Sequence, residues 1–221
     1  MNNNSKVLAL KYRPKTFDDL IGQEVVAETI TNSIKADKIP NAYLFTGIRG
    51  IGKTTTARIV AKALNCSNGI ENLCKENLCE NCEAITNSSH IDVLEMDAAS
   101  KTGVDDVRDL IEFSRYGPTS AKYKIFIIDE VHMLSKQAFN ALLKTLEEPP
   151  AGYQFILLST NESSMLPTIS SRCSLTVLTA TDSSFSQNPL LAFFLMPTQQ
   201  DPFAFETELK RQQLKDTQST E

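Results

Sequence analysis

A glycine-rich turn between a short apolar run and a helical pattern constrains this chain more than any other feature. Residues 43–45 are apolar, and the turn that follows fits G-x-x-x-x-G-K-[ST]. In such a loop the backbone N–H groups point at a phosphate, the lysine reaches the β- and γ-phosphates, and the threonine hydroxyl ligates Mg²⁺. We therefore predict a phosphate-binding loop at the start of a helix, with a plain glycine-rich turn as the alternative. The residues assigned to nucleotide binding here are Gly47, Gly50, Gly52, Lys53, Thr54 and Thr55.

Length and composition limit the class of protein. The 221 residues are 41% hydrophobic, enough for a real core, and no apolar run approaches the length of a membrane span. The net charge of −5 argues against binding nucleic acid through bulk positive charge. The first residues lack the apolar segment of a secretory signal, so we expect a cytoplasmic protein with no membrane partner. In that reducing compartment, cysteines are expected as metal ligands or core residues.

Four of the five cysteines are clustered among Asn, Glu and Lys residues. They are Cys66, Cys74, Cys79 and Cys82. Four thiolates satisfy tetrahedral Zn²⁺, and a C-x-x-C pair can bind from a single turn. Core cysteines and two disulfides are the alternatives, but core cysteines belong in apolar surroundings. The cluster predicts a structural zinc site in which Cys173 takes no part.

A second informative stretch is the apolar run at residues 124–128, which ends in two carboxylates. In open parallel sheets, ligands bind at the carboxyl ends of the strands. We predict that Asp129 holds Mg²⁺ through its water shell and that Glu130 orients and polarises the water attacking the γ-phosphate. A solvated strand end is the alternative. His132 and His90 are interpreted as structural, although His132 is also placed to sense nucleotide.

The remaining patterns predict strands alternating with helices. Residues 91–96 and 155–158 are predicted strands, and residues 23–37, 53–64 and 135–148 are predicted helices, as is a segment ending at residues 117–118. The last strand runs into Ser159, Thr160 and Asn161, where a hydroxyl or amide would touch γ-phosphate or the attacking water, unless these residues only form a turn. Four strands alternating with helices predict a doubly wound α/β fold with a parallel sheet flanked by helices.

With both nucleotide motifs placed, the chain resembles the AAA+ ATPases and, among them, the gamma/tau family of bacterial DNA polymerase III, the motors of the sliding-clamp loader. The resemblance runs from about residue 8 to Cys173. It is carried by residues 12–14, 17–23, 47–54, 97–100, 129–132, 140–149 and 171–173 and by the four clustered cysteines. A related clamp-loader subunit shares the zinc module but has a degenerate phosphate loop.

The resemblance implies an AAA+ P-loop NTPase with a zinc knuckle inserted at residues 66–82, and it implies further site residues. Thr160 matches the sensor-1 position, with Asn161 as second choice. Arg172 matches the arginine that reaches into a neighbouring subunit's ATP site. Tyr12 and Arg13 match the segment near the adenine. The implied ligands are ATP, Mg²⁺ and Zn²⁺, and the implied partners are other clamp-loader subunits, the sliding clamp and primed DNA, within a hetero-oligomer.

The chain departs from the family after Cys173. We predict an N-terminal arm at residues 1–22, an AAA+ ATPase domain at residues 23–173, and an atypical, poorly ordered tail at residues 174–221. The family's helical lid and collar are not legible there, which favours a truncated or frame-shifted product over a lineage-specific tail. Residues 175–178 remain β-favourable and are candidates for a fifth strand. The apolar residues 190–196 are too few to span a bilayer.

Three functions are compatible with these patterns. The leading hypothesis is an ATP-binding and ATP-hydrolysing motor subunit of the DNA polymerase III clamp loader, which loads the sliding clamp on primed DNA during replication. The alternative is a lid-less nucleotide-binding fragment, monomeric and with little or no turnover. A zinc-centred interaction module with a vestigial ATP site is disfavoured, because Lys53, Thr54, Asp129 and Glu130 are all present.

Overall fold

The computed structural model describes residues 13–101, 103–113, 116–160, 169 and 171–179. Within them lies a parallel sheet of five strands in the order β2-β3-β4-β1-β5. The strands are β1 (Ala42–Thr46), β2 (Val93–Asp97), β3 (Lys124–Asp129), β4 (Tyr153–Ser159) and β5 (Ser174–Val177). The predicted α/β fold with a parallel sheet is confirmed.

Five helices connect the strands in the described parts of the chain. They are α1 (Glu24–Lys35), α2 (Lys53–Asn65), α3 (Glu80–Thr86), α4 (Val104–Phe113) and α5 (Lys136–Glu147), with short 3₁₀ turns at Phe17–Asp19, Ile70–Asn72 and Val131–Met133. The start of α5 follows the predicted boundary, because the Ser135 hydroxyl accepts a hydrogen bond from the N–H of Ala138 at 3.3 Å. Within these described segments, the helices all fall short of the length and apolar character that a membrane span requires.

The middle strands are mostly apolar because both of their faces are covered. Every residue of β1 and β4 is buried. Phe126 of β3 stacks on Phe155 of β4 with ring centroids 5.2 Å apart. Helices α4 and α5 cover this face with a set of buried residues, namely Val107, Leu110, Phe139, Leu142 and Leu146. The resulting core holds β1, β3 and β4 in a fixed order and register.

Strand β5 lies beside β1 at one edge of the sheet, in residues that the sequence assigned to the start of the tail. Leu175 pairs with Leu44, and the N–H of Leu178 donates to the carbonyl of Thr46 at 2.7 Å. The β-favourable composition of residues 175–178 is therefore used in a fifth strand, and this compact unit extends to Thr179. Predictions on residues 180–221, on Tyr12 and on Asn161 lie outside the described residues.

The strand order determines which side chains meet at the carboxyl edge of the sheet. Strand β4 lies between β1 and β3, so the residues that follow these three strands are neighbours in space. The loop after β1, Asp129 at the end of β3, and Ser159 at the end of β4 all lie at this edge. This is the edge at which parallel sheets bind ligands.

Candidate functional site

Two residues predicted to bind the same metal ion are in contact at the carboxyl edge of the sheet. The Thr54 hydroxyl donates to Oδ2 of Asp129 at 2.7 Å, although the two residues are 75 positions apart in the sequence. Thr54 belongs to the first turn of α2, and Asp129 ends β3. A hydroxyl and a carboxylate are the oxygen ligands that Mg²⁺ prefers, so the chemistry of this pair suits the predicted ion.

The loop before α2 has a glycine backbone conformation and an uncapped helix start, which together suit the binding of an anion. Gly50 and Gly52 have φ values of 84° and 102°, in the left-handed region that favours glycine. Gly52 is the N-cap of α2, no side chain caps this end, and the first turn contains no acidic residue. The positive end of the helix dipole therefore faces the loop, and no carboxylate of the helix's own first turn offsets it.

Gly47 makes a close backbone contact that no other residue type would allow. A Cβ atom on Gly47, whose φ is 149°, would lie 2.5 Å from the carbonyl oxygen of Leu178. Because Leu178 also bonds to Thr46, the start of the glycine-rich loop is held directly against the chain that leaves β5. The sequence motif identified Gly47 but did not indicate this contact.

Gly47→Ala is expected to lower the free energy of unfolding by about 1–3 kcal/mol, because the added methyl group must push the loop away from Leu178. Thermal or urea unfolding measures the loss. Gly117→Ala is the matched control, since a Cβ there meets nothing within 4 Å. Equal stability of the two variants would contradict the contact between the loop and the residue after β5.

The Lys53 side chain lies inside the loop. Its amine donates to the carbonyls of Gly47 at 2.7 Å and Ile48 at 3.1 Å, and the residue is only 6% exposed. Burial lowers the pKa of Lys53, whereas the nearby carboxylates Glu130 and Asp129 raise it and so oppose this shift. A partly desolvated ammonium group interacts more strongly with a phosphate than one in bulk water does.

Glu130 has an unusual backbone and an unusual environment. Its φ and ψ are 48° and 42°, a left-handed conformation that is uncommon for a residue with a side chain and that often marks functional sites. Its N–H donates to Oδ1 of Asp129 at 2.9 Å. Its Oε2 is buried and has no hydrogen-bond partner within the described residues. The two carboxylates are thus next to each other but have different surroundings.

His132 connects Glu130 to the end of β4. Its Nδ1 lies 3.2 Å from Oγ of Ser159 and 3.6 Å from Oε2 of Glu130, and its Nε2 lies 3.5 Å from the hydroxyl of Thr160. Sequence reasoning placed Thr160 near the site but interpreted His132 as structural. The sequence signal that could have indicated a contact with Glu130 was the position of His132 two residues after it. The structure places His132 in the short turn Val131–Met133.

The two candidate arginines occupy different places. Nε of Arg13 donates to the Thr55 hydroxyl at 2.9 Å, which holds the N-terminal arm against the first turn of α2. Burial and, secondarily, the positive charge of Arg58 lower the pKa of Arg13. Nη2 of Arg172 lies 2.7 Å from Oε1 of Glu147 at the end of α5, and the Arg172 side chain is 36% exposed. Its predicted role toward a neighbouring subunit is untested by these contacts.

The four clustered cysteines form a compact group of sulfur atoms. All four Sγ atoms lie within 4.8 Å of one another, with Cys66 at 3.6 Å from Cys74 and 4.0 Å from Cys79. A tetrahedral site with Zn–S bonds of about 2.3 Å requires sulfur atoms about 3.8 Å apart, so this arrangement fits zinc. All five cysteines are free thiols, and Cys173 is outside the group. The two disulfides considered as an alternative are therefore not formed.

The surroundings of the sulfur atoms act on their pKa values in opposite directions. Burial raises the pKa of Cys74 and Cys82. Burial also acts to raise the pKa of Cys79, but hydrogen bonds from Cys82 and Ser67 outweigh it and lower the value to about 6. The amide of Asn68 donates to Sγ of Cys74 at 3.3 Å. These donors favour thiolate, the form that binds zinc.

The cysteine knuckle is also attached to the N-terminal arm, which sequence reasoning missed. Lys75, next to Cys74, pairs with Oδ1 of Asp19 at 2.8 Å. Oδ2 of Asp19 accepts hydrogen bonds from the N–H groups of Lys15 and Thr16. Burial acts to raise the pKa of Asp19, but these bonds and Lys75 lower it to about 2. The buried amine of Lys62 on α2 donates to the carbonyl of Lys15.

His90 has the structural environment that its sequence position suggested. Its Nε2 lies 3.2 Å from Oδ1 of Asn81 on α3, and its Nδ1 accepts the N–H of Asp92 at 3.0 Å. The Asn81 amide in turn donates to the carbonyl of Asn65 at the end of α2 at 2.9 Å. These bonds join the end of the knuckle to the start of β2.

Most of the chain is similar in sequence to known subunits of DNA polymerase III. A family model described as DNA polymerase III, delta subunit, matches residues 22–182. The DNA polymerase III subunit tau/gamma of Haemophilus influenzae is 50% identical over 169 residues, which cover 76% of this chain and 24% of that protein. The DNA polymerase III subunit gamma of Buchnera aphidicola subsp. Baizongia pistaciae is 50% identical over 171 residues, which cover 77% of this chain and 46% of that protein.

The fold is also shared with a solved structure. The RuvB Holliday junction branch migration motor of Thermotoga maritima aligns with a TM-score of 0.53 at 19% identity, covering 76% of this chain and 48% of that one. This likeness concerns the AAA+ fold alone. The chain spans less than half the length of each of these three proteins.

Proposed function

The chain belongs to the DNA polymerase III delta-subunit family, and from that premise and the contacts at the sheet edge we propose that it binds and hydrolyses ATP as a motor subunit of a clamp loader. Its sequence is homologous to gamma/tau subunits, which are AAA+ ATPases. One observation carries the proposal, namely the 2.7 Å contact between Thr54 and Asp129 beside a glycine-rich loop and a buried lysine.

Each residue at the edge has a role in this proposal. The loop N–H groups and Lys53 bind the phosphates, while Thr54 and Asp129 would hold Mg²⁺, which neutralises phosphate charge when bound. Glu130 polarises the attacking water. Thr160 contacts the γ-phosphate or that water, and its position beside His132, which also lies near Glu130, supports this assignment. The contact of Arg13 with Thr55 supports its assignment to the nucleotide-binding segment.

The partners follow from the relatives. We propose that the chain acts with other clamp-loader subunits, a sliding clamp and primed DNA in the cytoplasm, and that Arg172 completes a neighbouring subunit's site. The exposed ion pair of Arg172 with Glu147 is compatible with that role, because surface pairs are worth little and can be exchanged at an interface. The four-cysteine knuckle binds Zn²⁺ and serves a structural purpose.

The experiment that tests this function is ATP turnover by the chain, alone and mixed with intact clamp-loader subunits, with and without primed DNA. We expect slow turnover alone and a marked increase in the mixture, because a neighbour's arginine typically accelerates such reactions by about 10³–10⁵-fold. Tight ATP binding with no turnover in any mixture would instead support the alternative, a nucleotide-binding fragment without catalytic activity.

A further inference from the structure

One imidazole lies between the predicted water-polarising carboxylate and the end of β4. Nδ1 of His132 is the shared atom, because both Oγ of Ser159, at 3.2 Å, and Oε2 of Glu130, at 3.6 Å, lie near it. On the opposite side of the ring, Nε2 faces the Thr160 hydroxyl at 3.5 Å. The His132 and Glu130 side chains are 19% and 16% exposed, so little water competes for these contacts.

The two oxygens of the Glu130 carboxylate have different environments. Oε2 is buried and lacks a hydrogen bond in the described residues. Leaving a buried polar atom unsatisfied is unfavourable, so a nearby donor will be used once a small rotation brings it into range. Nδ1 of His132 is 3.6 Å away, just beyond hydrogen-bonding distance. If Oε2 turns toward the imidazole, Oε1 is left for a water molecule.

The carboxylate of Glu130 favours one tautomer of the imidazole, because a carboxylate only accepts hydrogen bonds, whereas the hydroxyls of Ser159 and Thr160 can donate or accept. With the proton on Nδ1, the ring donates toward Ser159 or Glu130, and Nε2 accepts from the Thr160 hydroxyl. The backbone alone does not orient the carboxylate. The left-handed conformation of Glu130 sets the direction of its Cβ atom, but the side-chain torsions beyond it need a contact of their own.

We propose that His132 is a positioning residue for Glu130, whose Nδ1–H holds one carboxylate oxygen so that the other faces the attacking water. The inference rests on the proposed ATP hydrolysis and deepens it by assigning a residue that acts through Glu130. The Thr160 hydroxyl can accept or donate, so its contact with Nε2 is compatible with the tautomer whose Nδ1–H donates to Glu130.

Three substitutions of His132 distinguish the contributions of the two ring nitrogens. The amide nitrogen of Asn can occupy the place of Nδ1, that of Gln the place of Nε2, and Ala provides neither. ATP turnover is measured for the full chain mixed with intact clamp-loader subunits. We expect His132→Ala and His132→Gln to lower kcat by about 10–100-fold with little change in KM, because a small misplacement of a catalytic group has effects of this size. His132→Asn should restore most of the lost rate.

Two results would overturn the proposal: wild-type turnover in all three variants, or an Asn variant as slow as the Ala variant. A wild-type chain that never hydrolyses ATP would refute the proposed function instead, and a second measurement then decides the inference. The chain has two histidines, so imidazole nitrogen NMR of the full chain resolves both. Glu130→Gln should shift the His132 signals and leave those of His90 in place, whereas unchanged His132 signals would exclude the contact.

Discussion

Glu130→Gln is expected to lower the rate of ATP hydrolysis at saturating ATP by about 10²–10⁴-fold, while the Kd for ATP stays within about twofold. The reason is that the carboxylate acts on the attacking water and not on the bound phosphates, so its loss affects the transition state alone. Lys53→Ala should do the opposite and weaken ATP binding by about 10²–10³-fold, because a buried ammonium group that faces the phosphates is removed. Equilibrium nucleotide binding and single-turnover hydrolysis separate the two effects.

Matched controls come from the exposed surface. Glu28 on α1 and Lys38 before β1 are both exposed, and Glu28→Gln and Lys38→Ala remove the same charges without touching the carboxyl edge of the sheet. Both controls should bind and hydrolyse ATP at the wild-type rate. Hydrolysis by Glu130→Gln at the wild-type rate in an active assembly would show that its assigned role is wrong, and unchanged ATP binding by Lys53→Ala would do the same for the loop.

The second large effect concerns the knuckle. We expect one tightly bound zinc ion per chain, and we expect Cys82→Ser to abolish stoichiometric binding. Structural zinc contributes about 10–16 kcal/mol of binding energy in small zinc domains. Chelation should therefore unfold residues 66–82 before it affects the sheet, which has a core of its own. Because Lys75 holds Asp19, the arm around residues 15–19 should become exchangeable at the same time. Elemental analysis and amide hydrogen exchange measure these two results.

Zinc binding should also weaken as the pH falls. The ligands must be thiolates, so protons compete with the metal for the same sulfur atoms. The pKa of Cys79 is lowered to about 6, whereas burial raises the pKa of Cys74 and Cys82. Cys173→Ser is the matched control and should retain the full zinc content. A purified chain without zinc, or disulfides mapped within the knuckle, would contradict the site.

The cysteine knuckle and the glycine-rich loop are connected by helix α2 and by the N-terminal arm. Helix α2 begins with Lys53 and Thr54, and it contains Lys62, which bonds to the arm. The arm in turn bonds to Thr55 through Arg13 and to the knuckle through Asp19. Loss of zinc is therefore expected to disturb the arm next to the glycine-rich loop, although the cysteine knuckle supplies none of the described contacts at the carboxyl edge.

Local sequence patterns were sufficient to predict several strands and helices of this protein and its candidate sites. The spacing of glycines, Lys53 and Thr54 predicts a phosphate-binding loop, because a phosphate site needs backbone N–H groups and an adjacent cation, which few other sequences provide. The apolar run before Asp129 predicted a buried strand, and the two prolines after α5 predicted where that helix ends. The four cysteines predicted a common metal site, since thiols in polar surroundings have few other uses.

Only the tertiary structure determined which residues of these sequence patterns are in contact. The order β2-β3-β4-β1-β5 puts Asp129 against Thr54 and puts Glu130, His132 and Thr160 side by side. Sequence periodicity reports which face of an element is buried, but contacts between distant segments depend on strand order and register. For that reason three contacts are visible only in the folded chain. His132 lies near Glu130, Leu178 lies against Gly47, and Asp19 pairs with Lys75 of the knuckle.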